Sequence, residues 1–292
     1  MSEPIPLAVI GGSGFYEMPG LESVEVVQML TPFGPTSDPI RIGRLAGVRV
    51  AFLARHGSGH RLLPSELPQR ANFWALKRLG VERVLAVSAV GSLREEFRPG
   101  EMVVPDQLID RTLGARPSTF FGEGVVAHVS MAEPFCPLLA KAAADAGRAA
   151  GGTVHEGATY VVIEGPAFGT RAESELYRSW GAGIVGMTAL PEAKLAREAE
   201  LCYAILASVT DYDAWHQEEA PVDAATVMRV LQENVERSRA AVRWLVQHLP
   251  ERSCSCGHAL DNAVVTAPER IDAGARARLG PILDRWLQER ER

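Results

Sequence analysis

The stretch LAVIGGSGF, residues 7–15, decides how the rest of the chain is read. Its first four residues are a short apolar run of the kind a fully buried strand uses. The run ends in Gly11-Gly12-Ser13-Gly14, a turn that can expose backbone N–H groups and one hydroxyl to an anion. The dinucleotide fingerprint G-x-G-x-x-G is not met, because its third glycine position is Glu17. Pro19 and Gly20 follow where that motif needs a helix. A plain tight turn is the other reading of this segment.

The same pattern of apolar run followed by glycine or polar residues recurs along the chain. Residues 48–53 read as a strand that ends at Arg55-His56. Residues 84–87 run into Ser88-Ala89-Val90-Gly91-Ser92, and residues 160–163 precede Gly165-Pro166. Residues 184–187 and 203–209 read as strands around a helix near 192–200. Helical spacing appears over 71–79 with Gly80 as a C-cap, over 137–150, and over 222–249. Thr170-x-x-Glu173 has the spacing of a capping box. Alternating strands and helices imply an α/β fold, a mainly parallel or mixed central β-sheet flanked by helices. Residues 1–249 read as one domain. Residues 250–292 read as a C-terminal extension packing on the body or on a neighbouring subunit.

Composition narrows the function classes. The 292 residues are 47% hydrophobic and 23% charged, with a net charge of −6. That profile excludes disorder and argues against a surface built to coat nucleic acid. No apolar run is long enough for a transmembrane helix, and MSEPIPLAVIGG has no basic leader, so a cytoplasmic location is expected. Cys136, Cys202, Cys254 and Cys256 are too few and too dispersed for a disulfide framework. Cys254-x-Cys256 with His258 looks like a fragment of a metal site but lacks a second matching pair in the sequence, so no metal is expected.

Ligands of open α/β sheets bind beyond the carboxyl ends of the strands. Arg55 suits a bidentate grip on phosphate and His56 can add a donor, unless the pair is a surface Arg beside a structural His. Ser88 and Thr188 follow strands and can bond phosphate. Asp211-Tyr212-Asp213 ends an apolar run. Residues two apart in extended chain share a face, so both carboxylates can meet one ligand. A helix N-cap or a solvated loop is the alternative reading. A non-enzymatic sensor would have no use for the phosphate grip.

Ten collinear segments carry a resemblance. Among them are GGSGF (11–15), ARHG (54–57), RANFWALKRLG (70–80), SAVGSLREEFRPG (88–100), MAEPFCP (131–137), IEGPAF (163–168), GMTALPEAKLAREA (186–199) and TDYDAW (210–215). Over nearly all of residues 7–250 the chain resembles the methylthioadenosine phosphorylases of the trimeric purine nucleoside phosphorylase family. The resemblance implies a single-domain phosphorylase/hydrolase-like fold. It implies reversible phosphorolysis of 5′-methylthioadenosine to adenine and 5-methylthioribose 1-phosphate, without metal or organic cofactor, in a homotrimer or homohexamer. A purine nucleoside or methylthioinosine phosphorylase acting on 6-oxo purines is the alternative.

Carried over by position, the phosphate site is Ser13, Arg55, His56, Ser88, Ala89 (by backbone) and Thr188. Met187 is expected to pack on the ribose and Phe168 to stack on the purine. Asp213 is expected to protonate the purine N7, and Asp211 to accept from the 6-amino group. His128 is expected to reach the 5′ region of a neighbouring subunit's site, and Val222 to form its apolar wall. Pro68-Gln69, Ala167 and Gly169 depart from the family pattern. The resemblance further implies two bridges, Cys136–Cys202 and Cys254–Cys256, with free thiols as the alternative.

Overall fold

The structure, a computed structural model, describes residues 3–12, 18–216 and 224–290. Eleven strands are present among these residues: β1 (Leu7–Gly11), β2 (Leu21–Val27), β3 (Leu30–Thr31), β4 (Gly34–Pro35), β5 (Ile40–Leu45), β6 (Val48–Ala54), β7 (Arg83–Ser92), β8 (Met102–Arg111), β9 (Val154–Ile163), β10 (Ile184–Gly186) and β11 (Cys202–Tyr212). Seven α-helices cover them: α1 (Gln69–Arg78), α2 (Pro137–Ala149), α3 (Arg171–Ser179), α4 (Ala189–Glu198), α5 (Ala224–Gln247), α6 (Ala273–Leu279) and α7 (Asp284–Arg290).

Nine strands form one sheet in the order β10-β9-β8-β11-β7-β1-β6-β5-β2, and β3 and β4 form a separate pair. The strands β6, β1, β7 and β11 run parallel, whereas β8 opposes β11 and β5 opposes β6. The sheet is therefore mixed. Strand β10 pairs with β9 and also, antiparallel, with β7 through Ile184 opposite Ser92 and Val185 opposite Gly91. That second pairing closes β7, β11, β8, β9 and β10 into a ring beside the open part of the sheet.

Alternation along the central strands divides the core into two. Leu7, Val9, Leu85, Val87, Ala204 and Leu206 pack toward α2 and α5. Ile10, Leu53, Ala86, Val90, Ile205 and Val209 pack toward α1 and α4. Small residues let α2 sit close: a Cβ on Gly147 would come within 2.8 Å of Val154. The segment after α5 belongs to the same core, since Leu260, Leu279, Leu283 and Trp286 are buried with α1 and α4. The Trp74 indole N–H donates to the carbonyls of Arg278 and Leu279. No helix among the described residues is long and apolar enough to cross a membrane.

Several elements are longer than the sequence pattern predicts. The apolar run of 203–209 continues through Thr210, Asp211 and Tyr212 as strand, with a bulge between Val209 and Asp211. The predicted helix near 192–200 begins earlier, at Ala189. Helix α3 begins with the expected capping box: Thr170 accepts from the Glu173 amide while the Glu173 carboxylate accepts from the Thr170 amide.

Candidate active site

Register places two of the candidate phosphate residues, Arg55 and Ser88, in one row with Gly12. Gly11 at the end of β1 is opposite both Ala54 of β6 and Val87 of β7. The next residues on these strands are Gly12, Arg55 and Ser88, on neighbouring chains about 4.8 Å apart. By the alternation of Ile10, Leu53 and Ala86, all three continue the face that carries α4.

Arg55 is almost wholly buried, and its donors are nearly all engaged. Its Nε and Nη2 donate to the two Glu192 oxygens at 2.5 and 3.3 Å, Nη1 donates to Val87 O at 3.0 Å, and Nη2 also reaches Ile10 O at 3.4 Å. Burial disfavours the guanidinium charge, but Glu192 overcomes this and Arg55 is held firmly cationic. One Nη1 proton takes part in none of these bonds. That nitrogen faces the glycine turn, since a Cβ on Gly12 would lie 3.9 Å from it.

Glu192 is fully buried and was not singled out by the sequence. It also accepts from Gln69 Nε2 at 3.2 Å and from the Tyr203 hydroxyl at 2.8 Å. Gln69, one of the departures from the family pattern, thus helps hold the carboxylate that holds Arg55.

His56 Nδ1 is 2.9 Å from the Leu62 carbonyl, which can only accept, so Nδ1 carries the proton. Burial, reinforced by Arg55, lowers the His56 pKa to about 4. The ring is therefore neutral near pH 7, with Nε2 as an acceptor. Such a nitrogen can take the P–OH proton of a monohydrogen phosphate. Ser88 is the complementary group: its hydroxyl is buried without a hydrogen-bond partner among the described residues. Ala89 follows on β7, half-buried. Thr188 occupies the N-cap position of α4 without capping it, and its side chain lies against the Tyr160 hydroxyl. The Tyr160 ring lies beneath, where a Cβ on Gly186 would collide with its hydroxyl.

The carboxylate pair lies one strand over. Asp211 is opposite Gly91, and Asp213 follows the strand end with its amide donating to Ser92 O. A Cβ on Gly91 would lie 3.1 Å from Asp211 Oδ1 and 3.2 Å from Asp213 Cβ, so glycine keeps the space between them open. The Thr210 hydroxyl is 2.7 Å from Asp211 Oδ2. Asp213 is buried, and burial raises its pKa against the pull of Ser174 and the Ala214 amide. Desolvation favours its protonated, proton-donating form.

A second buried arginine shapes the wall near Met187. Arg116 donates to Glu164 Oε1, to the Glu164 carbonyl, and to the carbonyls of Met187 and Leu190. It ties the end of β9 to the start of α4. Gly165 is required there, because a Cβ would fall 2.5 Å from Met187 Sδ. Met187 is half-buried and Phe168 is 43% exposed.

His128 is exposed and stands with the C-terminal segment. Its amide donates to Ala263 O, and its side chain lines a surface cavity of about 360 Å³ with Arg197, His258 and Asn262. Ser13 and Val222 lie outside the described residues. Cys136, Cys202, Cys254 and Cys256 carry no S–S bond in the structure, and their sulfurs lie within 4.8 Å of one another.

Fold and site together define an α/β enzyme whose polar residues gather beyond parallel strand ends. The chain belongs to the phosphorylase superfamily, whose family pattern matches residues 6–247. It is 56% identical to the S-methyl-5′-thioadenosine phosphorylase of Chloroflexus aurantiacus, over 96% of this chain and 98% of that one. It is 52% identical to the enzyme of the same name from Koribacter versatilis, over 98% of each. Among solved structures it resembles a methylthioadenosine phosphorylase from an antarctic soil metagenomic library, with a TM-score of 0.91 and 49% identity over 96% of this chain and 99% of that one. It also resembles methylthioadenosine phosphorylase from Schistosoma mansoni in complex with adenine, with a TM-score of 0.80 and 39% identity over 84% of this chain and 92% of that one.

Proposed function

We propose that this chain catalyses the reversible phosphorolysis of 5′-methylthioadenosine, giving adenine and 5-methylthioribose 1-phosphate. The observation that carries the reading is the shared register of Gly12, Arg55 and Ser88, with Asp211 and Asp213 one strand away. Phosphate held in that row attacks the anomeric carbon as the bond to the purine N9 breaks. The sugar is expected to pass through an oxocarbenium-like state, which the phosphate charge stabilises from one side. Arg55 Nη1, the Ser88 and Thr188 hydroxyls, and the Ala89 and glycine-turn amides donate to phosphate. His56 Nε2 accepts its remaining proton.

Electrons leave with the base, so N7 must take a proton. Asp213 supplies it, and Asp211 accepts from the 6-amino group. A 6-oxo purine places an acceptor against Asp211, leaving buried groups unmatched at a cost of about 1–3 kcal/mol. Met187 packs on the ribose and Phe168 on the purine. His128 from a neighbouring subunit and Val222 complete the 5′ pocket, so the working form is a trimer or hexamer. The cytoplasm is the expected location.

The test is base release from methylthioadenosine, adenosine, methylthioinosine and inosine, with and without phosphate. Phosphate-dependent release from methylthioadenosine, with the 6-oxo compounds slow, is the expected outcome. A preference for inosine or methylthioinosine would contradict the assignment of Asp211 and Asp213.

A further inference from the structure

Folding supplies the second pair of ligands that the sequence around Cys254-x-Cys256 lacks. Cys136 ends the loop before α2, Cys202 is the first residue of β11, and the Cys136 amide donates to the Tyr203 carbonyl. That bond sets the two cysteines side by side on the body. The segment after α5 then brings Cys254 and Cys256 against them. All four Sγ atoms lie within 4.8 Å of one another, and Cys202 Sγ is 3.3 Å from Cys254 Sγ.

We propose that these four cysteines form a tetrahedral Zn²⁺ site that fastens the C-terminal segment to the body. With Zn–S bonds of about 2.3 Å, the sulfurs of a regular tetrahedral tetrathiolate stand about 3.8 Å apart. The observed separations, 3.3 Å for one pair and none above 4.8 Å, bracket that value. Four sulfur ligands in such a group suit zinc, whereas calcium and magnesium require oxygen. The surroundings also fit. Cys136, Cys202 and Cys256 are buried, and Leu139, Ala142 and Val246 belong to the same apolar cluster. Arg252 lies beside Cys202 and donates to the Glu200 carbonyl, so a cation stands next to the negative charge of a tetrathiolate site. Cys254 and Cys256 line a surface cavity of about 320 Å³ that offers an entry path. His258 is not needed as a ligand, because its Nδ1 pairs with Asp261.

Binding converts four thiols to thiolates and releases their protons, with no change of oxidation state. The ligands join three separate parts of the chain, so the ion closes long loops and stabilises their junction without touching the phosphate row.

The test uses the full chain, purified under reducing conditions with zinc in the medium and then freed of loosely held metal. Elemental analysis is expected to find one zinc per chain, released when an organomercurial blocks the thiols. Cobalt substitution is expected to give the visible bands of a tetrahedral tetrathiolate. Cys254→Ser should lose the zinc and lower Tm while retaining phosphorolysis. The metal and cobalt measurements on the unaltered chain decide the matter even if that variant fails to fold. A metal-free chain with four titratable thiols overturns the proposal in favour of free cysteines. A metal-free chain whose thiols titrate only after reduction overturns it in favour of disulfides.

Discussion

At the end of β6, Arg55 is gripped by Glu192, by two main-chain carbonyls, and indirectly by Gln69 and Tyr203. At the end of β11, Asp213 has lost most of its water and no cation among the described residues compensates it, so its pKa rises. The two ends handle buried charge in opposite ways. A group that must stay charged in every step is neutralised by a permanent partner. A group that must give up a proton is left under-compensated, so its protonated form is accessible. In the proposed reaction, phosphate binding and base protonation ask for different surroundings, and the two strand ends offer them separately.

That contrast can be broken at either end. The largest effect is expected from Asp213→Asn, which keeps the shape and removes the proton donor. Turnover of methylthioadenosine should fall about 10²–10⁴-fold, with little change in the phosphate KM. Steady-state kinetics in both substrates reads this split.

Glu192→Gln attacks the other end through stability. Breaking a buried ion pair leaves an uncompensated charge and costs about 3–5 kcal/mol. Urea unfolding should show that loss together with a raised phosphate KM. Unchanged stability would mean that Glu192 does not anchor Arg55.

Ser88→Ala separates binding from folding. The hydroxyl has no partner among the described residues, so its removal should leave Tm within about a degree or two. A hydrogen bond to a charged ligand contributes about 1.5–3 kcal/mol, so the phosphate KM should rise about 10–100-fold. An unchanged KM would place phosphate elsewhere.

His56 gives a pH signature. Its folded pKa is lowered to about 4 from an ordinary 6.5, so the native state resists protonation. The stability it contributes is present above pH 6.5 and is lost as pH falls toward 4. The loss amounts to at most about 3 kcal/mol. Melting curves of the parent and His56→Asn should diverge in that window and run parallel above it.

Arg55 and Ser88 stand out in the sequence because each directly follows a short apolar run, and the structure sets them on either side of Gly12. Glu192 does not. Within ALPEAKLARE it reads as one more charge on a solvated helix, and only the packing of α4 against α1 and β11 brings it to Arg55. Arg116 was hidden in the same way, in a polar loop whose packing against β9 no local pattern reveals. Strand β8 was missed because Pro105 interrupts it, and the register there is shifted on both sides of that proline. Edge strand β2 was missed because most of its residues are exposed. The cysteine cluster shows the general limit. Spacing finds ligands that are close in sequence, whereas these four meet only after β11, α2 and the C-terminal segment have packed.

The most direct test of Asp213 as proton donor compares two leaving groups in Asp213→Asn. One substrate is methylthioadenosine, and the other is a 5-methylthioriboside of a nitrophenol that departs without protonation. The variant should lose turnover of the first and keep phosphate-dependent turnover of the second. Equal losses on both, or full retention on methylthioadenosine, would contradict the role assigned to Asp213.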